Sequence, residues 1–213
     1  MPTSRARETP VISERKRPRQ ERSALLVTAI LEAAVRVLVR EGARRFTTAR
    51  VAEVAGISVG SLYQYFPNKE AILFRLQADE WKQTGEMLGG ILADQSLLPL
   101  ERLRLAVREF FRSEYAERAV RVALDDAAPL YRDAPEAAKL KQGGRRRVSQ
   151  FMKELLPAAS PKQRAFAADL AITAMTSMGK AVSEQDRPPA EMDAMAAAAG
   201  DMLCAYMERL GAC

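Results

Sequence analysis

The sequence contains no histidine and only two cysteines, Cys204 and Cys213. Without histidine there is no imidazole to activate a nucleophile, ligate a metal or shuttle protons near neutral pH. Two cysteines alone neither complete a structural zinc site nor form a disulfide scaffold. No metal or other cofactor is expected. Cys213 is the last residue and Cys204 falls in an apolar helical pattern, which points to inert packing rather than thiol sensing. Also missing is any run of roughly 18 apolar residues, the length that crosses a bilayer. The stretch from Met1 to Arg22 is charged and proline-bearing, unlike a secretory signal. A cytoplasmic protein without membrane contact is expected. Strand signals and glycine-rich phosphate loops are absent too. An enzyme would have to work with carboxylates such as Asp125 and Asp126, and no reaction suggests itself; turnover surviving deletion of residues 1–70 would reveal one.

What is present is 213 residues, 48% hydrophobic and 28% charged, enough to bury a core in one large domain or two small ones. The net charge of +6 is unevenly spread. Residues 1–75 hold 14 Lys+Arg against 7 Asp+Glu, and the remainder holds 19 against 20. A basic first third joined to a near-neutral remainder suggests one part that faces a polyanion and another with a different task.

Residues 1–20 lack periodicity and carry three prolines, reading as a disordered basic arm in which Arg15, Lys16, Arg17 and Arg19 can reach phosphates or a minor groove. From Ser23, apolar residues recur every three or four positions through Leu38, and Gly42 fits a left-handed helix stop. Thr47 and Thr48 can cap a short helix; a capped N-terminus is also an anion site. Gly56-Ile57-Ser58 then punctuates before a helix running from Val59 to Phe66. Gly56 allows the positive backbone angle of a tight turn, Ile57 plugs the angle between the helices, and Ser58 caps the second. This is helix-turn-helix geometry. It sends Ser58, Val59, Gly60 and Ser61 toward base edges in a major groove. Gln64 can pair an adenine edge, and Tyr63, Tyr65 and Lys69 can reach the phosphate backbone. Tyr63 and Tyr65, two apart on a helix, diverge by about 200°, so that both are exposed or one packs into the head.

The run from Ile30 to Leu73, ILEAAVRVLVREGARRFTTARVAEVAGISVGSLYQYFPNKEAIL, resembles the DNA-binding domain of TetR-type transcriptional regulators. It carries an Ile-Leu-x-Ala-Ala helix, a Thr-Thr pair, Ala-x-x-Ala-Gly-hydrophobic-Ser, a Gly-Ser-hydrophobic-Tyr-x-Tyr-Phe block and a Lys-Glu. The resemblance implies an all-α homodimer whose paired N-terminal heads bind a palindromic double-stranded operator. It also implies a C-terminal helical bundle that binds a small-molecule effector; most members repress. The expected organisation is an arm over residues 1–20, a three-helix head over 21–70 and an effector-binding and dimerisation domain over 71–213. A non-specific architectural DNA-binding protein would share the basic head without base preference.

Beyond the head, a linking helix is expected from Ala71 to Met87, its end loosened by Gly85, Gly89 and Gly90. Helices follow over 100–128, with a break near Arg118, then over 136–156, 161–184 and 189–210. The run Arg145-Arg146-Arg147 reads as a solvated face. Trp81, Phe110, Phe111, Tyr115, Leu124, Tyr131, Phe151 and Met175 can line an effector cavity, although plain core explains most of them. Ala171, Ala174 and Met178, with Met195, Ala199, Met202 and Tyr206, place small and flexible side chains on the last two helices. That composition suits a four-helix dimer interface or the core of a monomer.

Overall fold

The computed structural model describes residues 21–131 and 134–212. Among them are nine α-helices and no strand, the all-α class expected, and no helix long and apolar enough to cross a membrane. The helices are α1 (Glu21–Arg45), α2 (Thr48–Ala55), α3 (Val59–Tyr63), α4 (Lys69–Ala93), α5 (Pro99–Ala116), α6 (Arg118–Ala127), α7 (Pro135–Leu155), α8 (Pro161–Ser183) and α9 (Pro189–Arg209). Four of them open on proline, whose ring presets helical φ and removes an N–H that the first turn would leave unbonded. Ser160 completes a reciprocal cap at α8: its Oγ accepts from the Gln163 N–H at 3.3 Å, and Gln163 Oε1 accepts from the Ser160 N–H at 2.9 Å.

The chain divides into two compact units, one formed by residues up to Glu80 together with Ala123–Lys139, the other by Trp81–Val122 with Leu140–Cys213. In the first, α1 buries Val27, Ile30, Ala33, Ala34, Val37 and Leu38 on one stripe, and α2 packs against it. Phe46, Val51, Leu62, Phe66, Ile72 and Leu73 complete that core, whereas Val54 and Ile57 are only half-buried. α1 is bent at Gly42, where φ is 74° and ψ 167°, a region that side-chain-bearing residues avoid. The returning segment contributes Leu124, Ala127, Tyr131 and Ala134, all buried. Tyr131 meets Phe74 edge-to-face at 6.1 Å, and its hydroxyl donates to Gln77 Oε1 and the Leu124 carbonyl, each at 3.1 Å. Burial pushes this phenol well above its ordinary value of 10.0.

In the second unit α5 packs against α9 and α8. Its core gathers Val107, Phe110, Phe111, Phe151, Met152, Leu155, Ala167, Ala171, Leu203 and Met207. α8 approaches α5 closely at Gly179, where an added Cβ would stand 2.6 Å from Phe110 Cε1 and 3.0 Å from Glu114 Cγ. A buried arginine, Arg102, and a half-buried one, Arg121, tie helices together. Arg102 donates to the Leu92 carbonyl at 2.8 Å, pairs with Glu154 and lies over the Phe151 ring. Arg121 pairs with Glu114 and Glu117 and donates to Ser113 Oγ and Thr84 Oγ1. The expected break before Arg118 falls at Glu117, with φ −103° and ψ 13°. Contrary to expectation, α4 does not loosen near Met87 but runs through Gly85, Gly89 and Gly90 to Ala93. Each of those glycines costs about 1 kcal/mol relative to alanine. Packing from elsewhere in the unit must offset that.

Candidate nucleic-acid interface

The helix-turn-helix is built from local hydrogen bonds that its sequence prescribes. Thr47 caps α2, its Oγ1 accepting from the Arg50 N–H at 3.2 Å. Gly56 takes the left-handed conformation, φ 68° and ψ 31°, and the Ile57 N–H closes the turn on the Ala52 carbonyl at 3.0 Å. Ser58 caps α3, accepting from the Ser61 N–H at 3.1 Å, and the two serine hydroxyls bond at 2.9 Å. Ser58, Val59, Gly60 and Gln64 are exposed, and Ser61 is half-buried beside its cap. A Cβ at Gly60 would meet only Ser58 Oγ, at 3.8 Å, leaving the backbone open to close approach.

Tyr63 and Tyr65 part company. Tyr63 is 39% exposed and shares a 3.0 Å hydrogen bond with Thr48 Oγ1, joining α3 to the first turn of α2. Tyr65 is 5% exposed, so the expectation that it contacts DNA beside Tyr63 is corrected. α3 ends at Tyr63, earlier than the stop expected after Phe66. The turn that follows, with Tyr65 and Phe66 N–H groups both bonded to the Leu62 carbonyl, rolls the Tyr65 ring into the core. Asn68 Oδ1 accepts from the Ala71 N–H at 2.8 Å and caps α4, whose first residue is the half-buried Lys69.

Exposed arginines adjoin the helix-turn-helix at the end of α1 rather than on α2. Arg50, the one cation of α2, bonds Glu41 at 2.7 Å and Glu53 at 2.8 Å, and those two carboxylates raise its pKa beyond the ordinary arginine range. Arg44 and Arg45, by contrast, are exposed at the end of α1 and make no ion pair among the described residues. Reading the sequence by motif passed over both; their position immediately before the Thr47 cap was the available signal. Arg15, Lys16, Arg17 and Arg19 lie outside the described residues.

The other expected site residues divide. Phe110, Phe111 and Phe151 are buried in the core of the second unit, with Tyr115 and Met175 packed against it. Trp81 is half-buried in the same unit. Leu124 and Tyr131 are instead core residues of the first unit. Tyr131 is committed to Phe74, Gln77 and Leu124. Of the residues expected between subunits, Ala171 and Ala199 are buried inside their own unit. Ala174, Met178, Met195 and Tyr206 are half-buried, and Met202 is 52% exposed. Phe166 and Leu170, 63% and 38% exposed, continue the Ala174–Met178 face at intervals of four, a signal the sequence carried but that went unread. A groove of about 230 Å³ lies beside them, lined by Ser160, Lys162, Gln163, Phe166 and Tyr206. Among the described residues no group of three or more acidic or cysteine side chains is placed to hold a metal ion.

Comparison with known proteins agrees with this geometry. The family of bacterial regulatory proteins, tetR family, matches residues 30–76, and the tetracyclin repressor-like C-terminal domain matches residues 98–210. A fatty acid metabolism regulator protein of Bacillus subtilis (strain 168) is 30% identical over 82 residues, 38% of this chain and 42% of that protein. The matched stretch thus spans less than half of the relative's length. Among solved structures, the fatty acid degradation regulator FadR of Bacillus halodurans superposes with a TM-score of 0.68 at 17% identity, covering 84% of this chain and 94% of that one. The transcriptional regulator FadR of Bacillus subtilis, solved in complex with stearoyl-CoA, gives 0.68 at 17% identity over 83% and 97%.

Proposed function

Since the chain belongs to the TetR family and is a DNA-binding transcriptional regulator rather than an enzyme, we propose that it acts as a homodimeric repressor, released from a palindromic operator by a small-molecule effector. The observation that carries the DNA half of this reading is the Thr48–Tyr63 hydrogen bond. It puts two hydroxyls at the junction of α2 and α3, where each can turn to donate to a phosphate oxygen while the exposed residues 58–60 and Gln64, with the half-buried Ser61, face the groove. Thr47, Lys69 and the arm residues Arg17 and Arg19 add phosphate contacts. The binding takes place in the cytoplasm.

Two heads are needed because a single head makes few base contacts, and joining two multiplies their affinities. The exposed Phe166, Leu170 and Met202 support α8 and α9 as the face that joins two copies. The effector sits in the second unit. The relative that regulates fatty acid metabolism supports a fatty-acyl compound as its class. Such a ligand releases DNA only if it binds the operator-incompetent arrangement more tightly, which it does by shifting α4 and, with it, the spacing of the paired heads.

A salt-titrated binding assay with a palindrome from the protein's own promoter tests the reading. The expected result is tight binding to the palindrome, weak binding to scrambled DNA, and release by one acyl-CoA chain length out of a series. Equal affinity for both DNAs would sink specific regulation, and the absence of release across the series would sink the acyl class.

A further inference from the structure

The second half of α4 is gripped at consecutive residues by arginines from two different helices. On one side Arg121 of α6 donates to Thr84 Oγ1 at 3.0 Å. On the other, Arg147 of α7 lays its side chain across Gly85 and Gly89, and its Nη1 donates to the Gly85 carbonyl. The glycines make room for it. A Cβ at Gly85 would stand 3.1 Å from Arg147 Nη1, and one at Gly89 would stand 3.2 Å from Cδ with Nη1 and Nε at 3.5 and 3.7 Å. Gly90 meets nothing within 4 Å and has no such explanation.

The two arginines are anchored very differently. Arg121 is 10% exposed and held by Glu114, Glu117 and Ser113 as well as Thr84. Pulling it away would strand the buried Glu114 carboxylate, so it stays. Arg147 is exposed and has no carboxylate partner among the described residues; its hydrogen bond goes to a neutral peptide carbonyl that water can satisfy equally well. Its departure costs little at the guanidinium but leaves two glycines of a helix bare to solvent, the residues least able to sustain one alone.

We propose that residues 84–89 of α4 form a two-arginine grip with one fixed arm, Arg121, and one releasable arm, Arg147, so that the rigidity of the linking helix depends on whether Arg147 is seated. Seated, it covers Gly85 and Gly89 and holds that stretch of α4. Unseated, it lets the segment after Gly85 fray. The grip is a property of the second unit alone; its regulatory consequence, that fraying α4 uncouples the effector from the heads, rests on the function proposed above.

Hydrogen exchange on the full chain tests it. In Arg147→Ala, amides 86–92 should exchange about tenfold faster, with those of α5 unchanged. Gly89→Ala supplies the second arm, because helix propensity and the grip predict opposite results. In the wild-type background the new methyl displaces Arg147, and exchange should stay level or rise. In the Arg147→Ala background there is nothing to displace, and the same change should slow exchange. If Arg147→Ala leaves amides 86–92 unaffected, or if Gly89→Ala slows them equally in both backgrounds, the grip is refuted. If exchange changes as stated while effector-driven release from the operator does not, the grip stands and its role in regulation falls.

Discussion

Thr48 and Tyr63 share one hydrogen bond between their hydroxyls, so one proton bridges the pair and the other is available to a phosphate. Tyr63→Phe and Thr48→Val should therefore each weaken binding to operator and scrambled DNA alike, by about 1 kcal/mol or some fivefold, with little change in thermal stability. Gln64→Ala should behave differently and relax preference at one base pair, while Lys69→Ala should lower affinity for all DNA and reduce the slope of log K against log salt by about one. Isothermal or fluorescence titrations at several salt concentrations separate the three; base-specific loss at Lys69 would overturn the assignment. Tyr131 carries a pH signature. Its folded-state pKa is raised by burial, so the folded chain keeps the phenolic proton after the unfolded chain has begun to lose it near 10.0. Stability from this group is complete below that value and declines as pH rises above it. Urea midpoints at about pH 8 and about pH 11 should fall less in Tyr131→Phe than in wild type. Cys204 is buried, and desolvation raises its pKa; thiol reagents should modify it only at the rate of unfolding.

Helices meet closely where the sequence provides glycine, and the consequences differ by position. Gly179→Ala forces a methyl onto the Phe110 ring and Glu114 stem, and should destabilise the chain by about 1–3 kcal/mol in a denaturant titration. Gly56→Ala meets no atom within 4 Å but must hold φ at 68°; its cost should be about 1 kcal/mol, expressed mainly as lost DNA affinity because the angle between α2 and α3 is at stake. Much of the architecture at this scale was legible. Thr47, Gly56 and Ser58 act locally, and each does what its chemistry prescribes within four residues. Pro99, Pro135, Pro161 and Pro189 likewise mark helix starts without tertiary help. What escaped reading depended on distant partners. Nothing in 69–93 announces that an arginine some sixty residues onward fills the notch of Gly85 and Gly89. Periodicity separates Tyr63 from Tyr65 but cannot say which one turns inward, since that is decided by where α3 stops.

For the molecule as a whole, the dimer proposed above rests on the exposed side chains of α8 and α9. Phe166→Asp combined with Met202→Asp should sediment as a monomer with near-normal melting, since neither residue is part of its own unit's core, and should lose roughly a hundredfold in operator affinity by giving up the second head. A dimer that survives both charges would place the interface elsewhere. The first unit has a different lesson for anyone who would recombine such proteins. Because Leu124 and Tyr131 complete its core around Phe74 and Gln77, its sequence is interrupted, and a cut after Glu80 does not yield a transplantable cassette. A chimera carrying these heads on another regulator's body would inherit a foreign plug under Phe74, and its response would reflect that mismatched joint as much as either parent.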